Sequence, residues 1–325
     1  MAAGFQPVDL NNVFITSPDP GKYVNIAERD GFPLNCCTWI KGIYGICMSG
    51  DYDTILCVTT GDCSNSIMLM EVLKLKRSNV ISFAYPLEPD RRLIGHTLEN
   101  LAERLRTTLP AAEKIKSALK IPRNMALELD RLTWQEGLVS GYENHFWLVS
   151  TSDFNRNTSE FRDQIGALLN ECSRRKPYPD DMLRLAYIGV PPVFGKEFYS
   201  FLEKNNARVV FNEVQRQFAM PVSGKSLAEQ YSNYTYPYSI YGRLKDIKAQ
   251  LKKRKVDGVI HYVQAFCHRG IGDIIFRESL DNPILTLEGN QDFYLTQHAK
   301  TRIEAFLDML RKKSKVKNQT LRTTN

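Results

Sequence analysis

Three cysteines far apart in the chain, Cys37, Cys63 and Cys267, each stand in a short glycine- or polar-rich turn just after or beside an apolar run. Together they could hold one iron–sulfur cluster, because thiolates are the usual protein ligands of such clusters. Three thiolates on a four-iron cluster leave one iron without a protein ligand. An iron with an open position can bind a substrate as a Lewis acid and pass it an electron, whereas electron relays more often close all four positions. Spacing alone does not fix this reading, since the chain has no CxxC pair.

The chain has seven cysteines, an odd number that argues against a disulfide framework. Cys57 lies within the apolar run Ile55–Val58 and reads as a buried thiol behaving as a small hydrophobe. Cys172 ends the amphipathic stretch Phe161–Cys172 and reads as helix packing. Cys36 adjoins Cys37, and neighbouring residues rarely both point at one small cluster, so it reads as a buried or supporting thiol. Cys47, expected in a loop after Gly45, could be a ligand or a packed thiol. Cys36 and Cys47 are therefore the alternative ligands.

With 325 residues, 43% hydrophobic and 24% charged, the chain has the length of roughly two globular domains. No stretch approaches the roughly 18 consecutive apolar residues of a membrane span. The segment MAAGFQPVDLNN lacks the basic and apolar regions of a secretory signal. A cytoplasmic location is expected, with no membrane partner. The net charge of +7 is concentrated at the end: Arg311, Lys312, Lys313, Lys315, Lys317 and Arg322 face no acid within 311–325. The remainder is close to neutral, which argues against nucleic-acid binding, and the basic tail reads as a frayed, solvated end. A second basic run, 251–255, closes an expected helix, where cations complement the macrodipole; a phosphate-bearing cofactor is the alternative use.

The elements that must carry the cysteines alternate between strand and helix. Apolar runs at Val13–Thr16, Thr54–Thr59, Val80–Tyr85 and Phe146–Ser150 predict strands, separated by helical patterns at Gly95–Leu109 and Ala111–Leu119. After the proline- and charge-rich segment 174–179 the pattern restarts. Strands are predicted at Leu183–Ile188, Arg208–Asn212, Gly258–Val263 and Ile284–Leu287, with helices at Lys196–Lys204, Tyr238–Lys253 and Thr301–Lys313. This is an α/β pattern with parallel sheets. It divides into 1–175, carrying Cys37 and Cys63, 176–310, carrying Cys267, and the tail 311–325. Ligands of parallel sheets collect at the carboxyl ends of strands. Cys63 and Cys267 each follow a predicted strand by four residues, so two domains facing a cleft would bring their turns together, with Cys37 completing the site.

The order of short motifs resembles the 2-hydroxyacyl-CoA dehydratase family, which includes the D-component of 2-hydroxyglutaryl-CoA dehydratase and subunits of benzoyl-CoA reductase. The resemblance runs through AERDGFP at 27–33, Cys37 with Gly45 eight residues on, GDCSN at 61–65 and FAYP at 83–86. It continues through LTW at 132–134, VSGYE at 139–143, YIGVP at 187–191, DGVI at 257–260, Phe266–Cys267, LTLEG at 285–289 and TRIEAF at 301–306. Asn290 stands where an acid is expected. The resemblance implies two Rossmann- or flavodoxin-like parallel-sheet domains facing a central cleft, with additional helices. It implies a 4Fe–4S cluster on Cys37, Cys63 and Cys267, with a double-cubane variant left open. It further implies an ATP-hydrolysing activator iron–sulfur protein that injects one electron, an acyl-CoA substrate reduced to a ketyl radical that expels its hydroxyl group, and a homologous subunit in a homo- or heterodimer. A lyase of dehydratase type is expected; a reductase of small molecules and a non-catalytic electron-transfer subunit are the alternatives.

Other polar residues have two readings each. His268, beside Cys267, could bond cluster sulfur or protonate a leaving hydroxide, or be a surface histidine. Ser64 and Asn65 could supply donors to an anionic cluster at a helix start or simply cap that helix. Lys41, expected in a loop, could steady negative charge near Cys37 or be solvated. A metal-free, flavodoxin-like binding protein is the plainest alternative.

Overall fold

Short polar side chains decide where several helices begin. The Asp9 carboxylate accepts the Asn11 N–H and starts α1 (Leu10–Ile15), followed by α2 (Gly21–Arg29) and α3 (Thr38–Ser49). The carbonyl of Tyr23 in α2 fills the space that a Cβ on Gly45 would need, so α3 lies tightly against α2. Strand β1 (Ile55–Thr60), α4 (Asn65–Lys76) and β2 (Val80–Ala84) form a parallel βαβ unit. A helical run follows: α5 (Arg91–Arg104), α6 (Leu109–Ala118), α7 (Lys120–Arg131), α8 (Gly141–Val149) and α9 (Thr158–Cys172). This computed structural model describes residues 1–77 and 79–323, with side chains to residue 313. Lys315, Lys317 and Arg322 of the expected tail lie outside the described side chains.

The second sheet is built from β3 (Leu183–Gly189), β4 (Ala207–Asn212), β5 (Gly258–Gln264) and β6 (Ile284–Gly289), all parallel, in the order β4-β3-β5-β6. Around it run α10 (Gly195–Lys204), α11 (Glu213–Phe218), α13 (Ile240–Lys253), α14 (Asp273–Ser279) and α15 (Gln297–Thr323), while α12 (Leu227–Ser232) packs against α5 and α6. Strand order reverses between β3 and β5. Their carboxyl ends therefore splay apart into a crevice, the usual ligand position in such sheets.

Two expected strands are helices. The run Val13–Thr16 falls in α1, because the Asp9 cap commits the chain to helix before the apolar residues begin. The run Phe146–Ser150 falls in α8, which opens with a full capping box between Ser140 and Glu143. The first sheet consequently has two strands, so the chain is mixed α/β with sheets of two and four strands among many helices. The basic run also differs from expectation. Arg254 is buried and bonds both oxygens of Asp130, at 2.6 and 2.8 Å, and the Val210 carbonyl at 2.7 Å.

One apolar cluster runs from Phe14, Trp39 and Leu73 through Tyr187 and Tyr262 to Leu310, joining α1, α3 and α4 to the four-stranded sheet. Full burial of such a side chain is worth roughly 1.5–3 kcal/mol. Shared packing of this kind fixes the first cysteine-bearing elements against the sheet that carries the third. A buried ion pair adds a polar tie between α7 and the end of α13: burial raises the Asp130 carboxyl, and Arg254 more than offsets this and holds it below the carboxylate range. Asp130→Ala leaves Arg254 buried without its counterion and is expected to cost about 3–5 kcal/mol. Urea unfolding of the two proteins measures it.

Candidate metal centre

Cys37 occupies the N-cap of α3 and is buried. Its sulfur faces the backbone N–H groups of Ile40 and Trp39, the free donors of the first helical turn. Cys63 lies just ahead of α4, its sulfur facing the N–H groups of Asn65 and Ser66. Cys267 follows β5 and caps the short 3-10 turn His268–Gly272; its N–H donates to the Gln264 carbonyl at 3.0 Å. Each thiol therefore sits at the start of a helical segment, where exposed donors and the dipole favour a negative group.

All three cysteines line one cavity of about 1030 Å³. Burial pushes the Cys37 thiol up to about 12, the N–H groups of Ile40 and Trp39 oppose it, and Cys63 and Cys267 raise it further. Burial likewise pushes Cys63 up to about 11, against the Asn65 N–H and with Asp62 and Cys267 adding to the rise. The three sulfurs are thus within electrostatic reach of one another. Among the described residues, no three His, Cys, Asp or Glu side chains close on a point as a single metal ion requires. A cubane relaxes that condition, because its irons stand at separate corners and its thiolates are spread accordingly.

Two polar ties hold the turns in place. Arg269 donates from Nη2 to the carbonyls of Gly61 at 2.8 Å and Asp62 at 2.9 Å, and from Nε to Asp62 at 3.1 Å, so the Cys267 turn grips the Cys63 turn. Its guanidinium lies 4.3 Å from the ring centroid of Tyr236, whose hydroxyl donates to Asp62 at 3.1 Å. Gly61 has φ +95°, and a Cβ there would stand 2.8 Å from the Pro237 side chain, so glycine is required at this crossing. The second tie reaches Cys37. Asn290 accepts from Thr38 Oγ1 through its Oδ1 at 3.4 Å and from Gln264 Nε2 through its carbonyl at 3.1 Å, linking α3 to the end of β5.

The donor set suits an iron–sulfur cluster: three soft ligands, N–H groups around two of the sulfurs, and one orphaned donor. The indole N–H of buried Trp39, a cavity-lining residue, has no acceptor among the described residues. The other cysteines do not share this arrangement. Cys47 is not in a loop; it is buried on α3 and its thiol, raised to about 12 by burial, faces Cys57. Cys57 lines the cavity from β1, and Cys36 is half-buried outside the lining. His268 and Ser64 are both exposed, and neither lines the cavity; the Ser64 side chain makes no capping bond. Lys41 lies within α3, fully buried, and bonds Glu28 at 2.6 Å and the Leu34 carbonyl at 3.0 Å. Sequence reasoning missed Arg269, Asp62, Tyr236 and Trp39 as parts of the site, although the first two adjoin or nearly adjoin a singled-out cysteine.

The three thiols thus open onto one cavity from turns at strand ends and helix starts of an α/β chain. The family model of the 2-hydroxyglutaryl-CoA dehydratase D-component matches residues 1–310, and the chain belongs to that family of dehydratase-type components. No curated protein matches it. No helix among the described residues is long and apolar enough to cross a membrane.

Arg269→Met removes charged-donor bonds worth about 1.5–3 kcal/mol each. It is expected to lower the urea midpoint of the metal-free chain and speed maleimide labelling of Cys63 and Cys267. The raised thiols also set a pH dependence. Cys37 and Cys63 bind protons more tightly folded, at about 12 and 11, than at the ordinary value of 9.0. Their contribution is complete below pH 9 and is lost as pH rises toward 11 and 12. Denaturation of metal-free protein from pH 7 to 10 is expected to show falling stability at the alkaline end, with a shallower fall in the Cys37→Ser/Cys63→Ser double variant.

Proposed function

We propose that the chain is the iron–sulfur subunit of a 2-hydroxyacyl-CoA dehydratase-like enzyme, with Cys37, Cys63 and Cys267 as the ligands of a 4Fe–4S cluster. The observation that supports this reading is the opening of three thiols onto one cavity in a chain of this family. Residues 1–175 bring two of the ligands and residues 176–310 the third. When bound, such a cluster supplies one-electron reduction and, with three thiolates, an iron position open to an acyl-CoA thioester.

The chain's own residues do the rest. The first-turn N–H groups of α3 and α4 offset negative charge at the sulfurs. Arg269 fixes the spacing of the Cys63 and Cys267 turns and places a positive charge near both. The Trp39 indole N–H is buried without an acceptor among the described residues, in a residue that lines the cavity. The leucine-rich walls hold an acyl chain and exclude water, so the electrostatics at the cysteine end act in a low dielectric. The reading assigns no step to His268 or Ser64. It includes a homologous subunit and an ATP-hydrolysing activator as partners, the latter as the source of the electron.

Protein purified without oxygen is expected to contain about four irons per chain with matching sulfide. Cys37→Ser, Cys63→Ser and Cys267→Ser each lose them, while Cys36→Ser and Cys47→Ser retain them. Iron retained in the first three variants, or lost in Cys47→Ser alone, contradicts the ligand assignment.

A further inference from the structure

A second, smaller cavity of about 10 Å³ lies at the carboxyl ends of β3 and β5, with Gly189, Tyr236, Arg243, His261, Cys267 and Arg269 in its lining. Roughly 10–15 Å³ holds one water molecule where two to four polar groups can bond it. Tyr236, Cys267 and Arg269 also line the large cavity, so the two adjoin.

Three side chains of this crevice each keep one nitrogen uncommitted. Buried His261 bonds Asp273 Oδ1 through Nδ1 at 2.6 Å. Burial raises the Asp273 carboxyl, but bonds from His261, Thr286 and Arg277 outweigh it and hold it below the carboxylate range. An ionised carboxylate only accepts, so Nδ1 carries the hydrogen, and Nε2 of the neutral ring is left as a bare acceptor. The Cδ2 beside Nε2 stands 3.5 Å from where a Cβ on Gly189 would lie, which turns that edge of the ring toward the crevice. Arg243 gives Nε and Nη2 to Glu213, both at 2.8 Å, and Arg269 gives the same two nitrogens to the carbonyls of Gly61 and Asp62. Neither Nη1 has an acceptor among the described residues. The two guanidiniums stand 5.7 and 4.3 Å from the ring centroid of Tyr236, so both lie at the same wall.

We propose that this crevice is a site for one ordered water, which donates to His261 Nε2 and accepts from Nη1 of Arg243 and of Arg269. An acceptor set beside two donors suits water, whereas an anion meets the His261 lone pair and the nearby carboxylates of Glu213 and Asp273. A water bridge of this kind is enthalpically nearly as good as a direct hydrogen bond. It ties Arg269, which grips the Cys63 turn, to the His261–Asp273 pair of β5 and α14. His261 is thereby a positioning residue for the cysteine turns. The inference goes beyond the dehydratase reading, since it holds with or without a bound cluster.

The test is a crystal structure of the full chain at a resolution that shows ordered water, with a second crystal soaked in sodium bromide. The expected result is a water peak within hydrogen-bond distance of the three nitrogens and no anomalous bromide signal there. An empty crevice, or bromide in it, overturns the water site. Two variants test the positioning role: His261→Asn keeps a donor to Asp273 and loses the crevice acceptor, and His261→Gln does the reverse. His261→Asn is expected to lose the water and to react with maleimide at Cys63 about two- to tenfold faster, the factor set by roughly one net hydrogen bond, while His261→Gln keeps both water and rate. The opposite order, which is the mark of a role confined to holding Asp273, or equal rates in the two variants, overturns it.

Discussion

The site depends on one guanidinium. Arg269 gathers the two carbonyls that precede Cys63 and thereby sets where the first sheet's turn lies against the crevice of the second. Without such a grip, the two turns meet only through apolar packing, which is non-directional and leaves sulfur positions loosely specified. Cluster ligation needs defined sulfur positions, and backbone carbonyls held by a planar, five-donor cation give them. Asn290 serves the third cysteine in the same way, by accepting bonds from the start of α3 and from Gln264 at the end of β5. An acid was expected at that position; asparagine fills the acceptor role without adding a negative charge.

The electrostatics around the sulfurs have two opposing parts. Burial keeps the Cys37 and Cys63 thiols protonated at neutral pH, while the N–H groups at the starts of α3 and α4 lower the cost of ionising them. Loading a metal centre onto such thiols releases protons and converts stored desolvation into ligation, so assembly and folding are linked. In the proposed function the N–H groups of the first helical turns serve that centre, a role closed to a strand interior, whose N–H groups are committed to the ladder.

Much of the scaffold was legible in sequence, for stated reasons. Strands β3 and β5 were readable because buried parallel strands are near-continuous apolar runs, and β1 from the run Ile55–Val58 although Leu56 is exposed. The cysteine turns after β1 and β5 followed from the rule that parallel sheets collect ligands at strand ends. Two readings failed where apolar content outweighed a polar signal. Val13–Thr16 and Phe146–Ser150 are rich in strand-forming residues, yet Asp9 and the Ser140–Glu143 capping box commit them to helix. Cys47, expected in a loop after Gly45, lies on α3, where Gly45 marks the close crossing of α2 and α3. Arg269, Tyr236 and the burial of Arg254 had no local signature. A guanidinium that binds carbonyls more than 200 positions away in sequence, as Arg269 does, leaves no periodicity to read.

The proposed function requires three distant sulfurs to serve a single inorganic centre. An anomalous-difference map at the iron absorption edge, from crystals grown without oxygen, tests that most directly. The predicted result is one iron-bearing peak in the cavity, contacted by the Sγ atoms of Cys37, Cys63 and Cys267. Iron found elsewhere, for instance beside Cys47 and Cys57, or a map without iron at three unligated sulfurs, contradicts it.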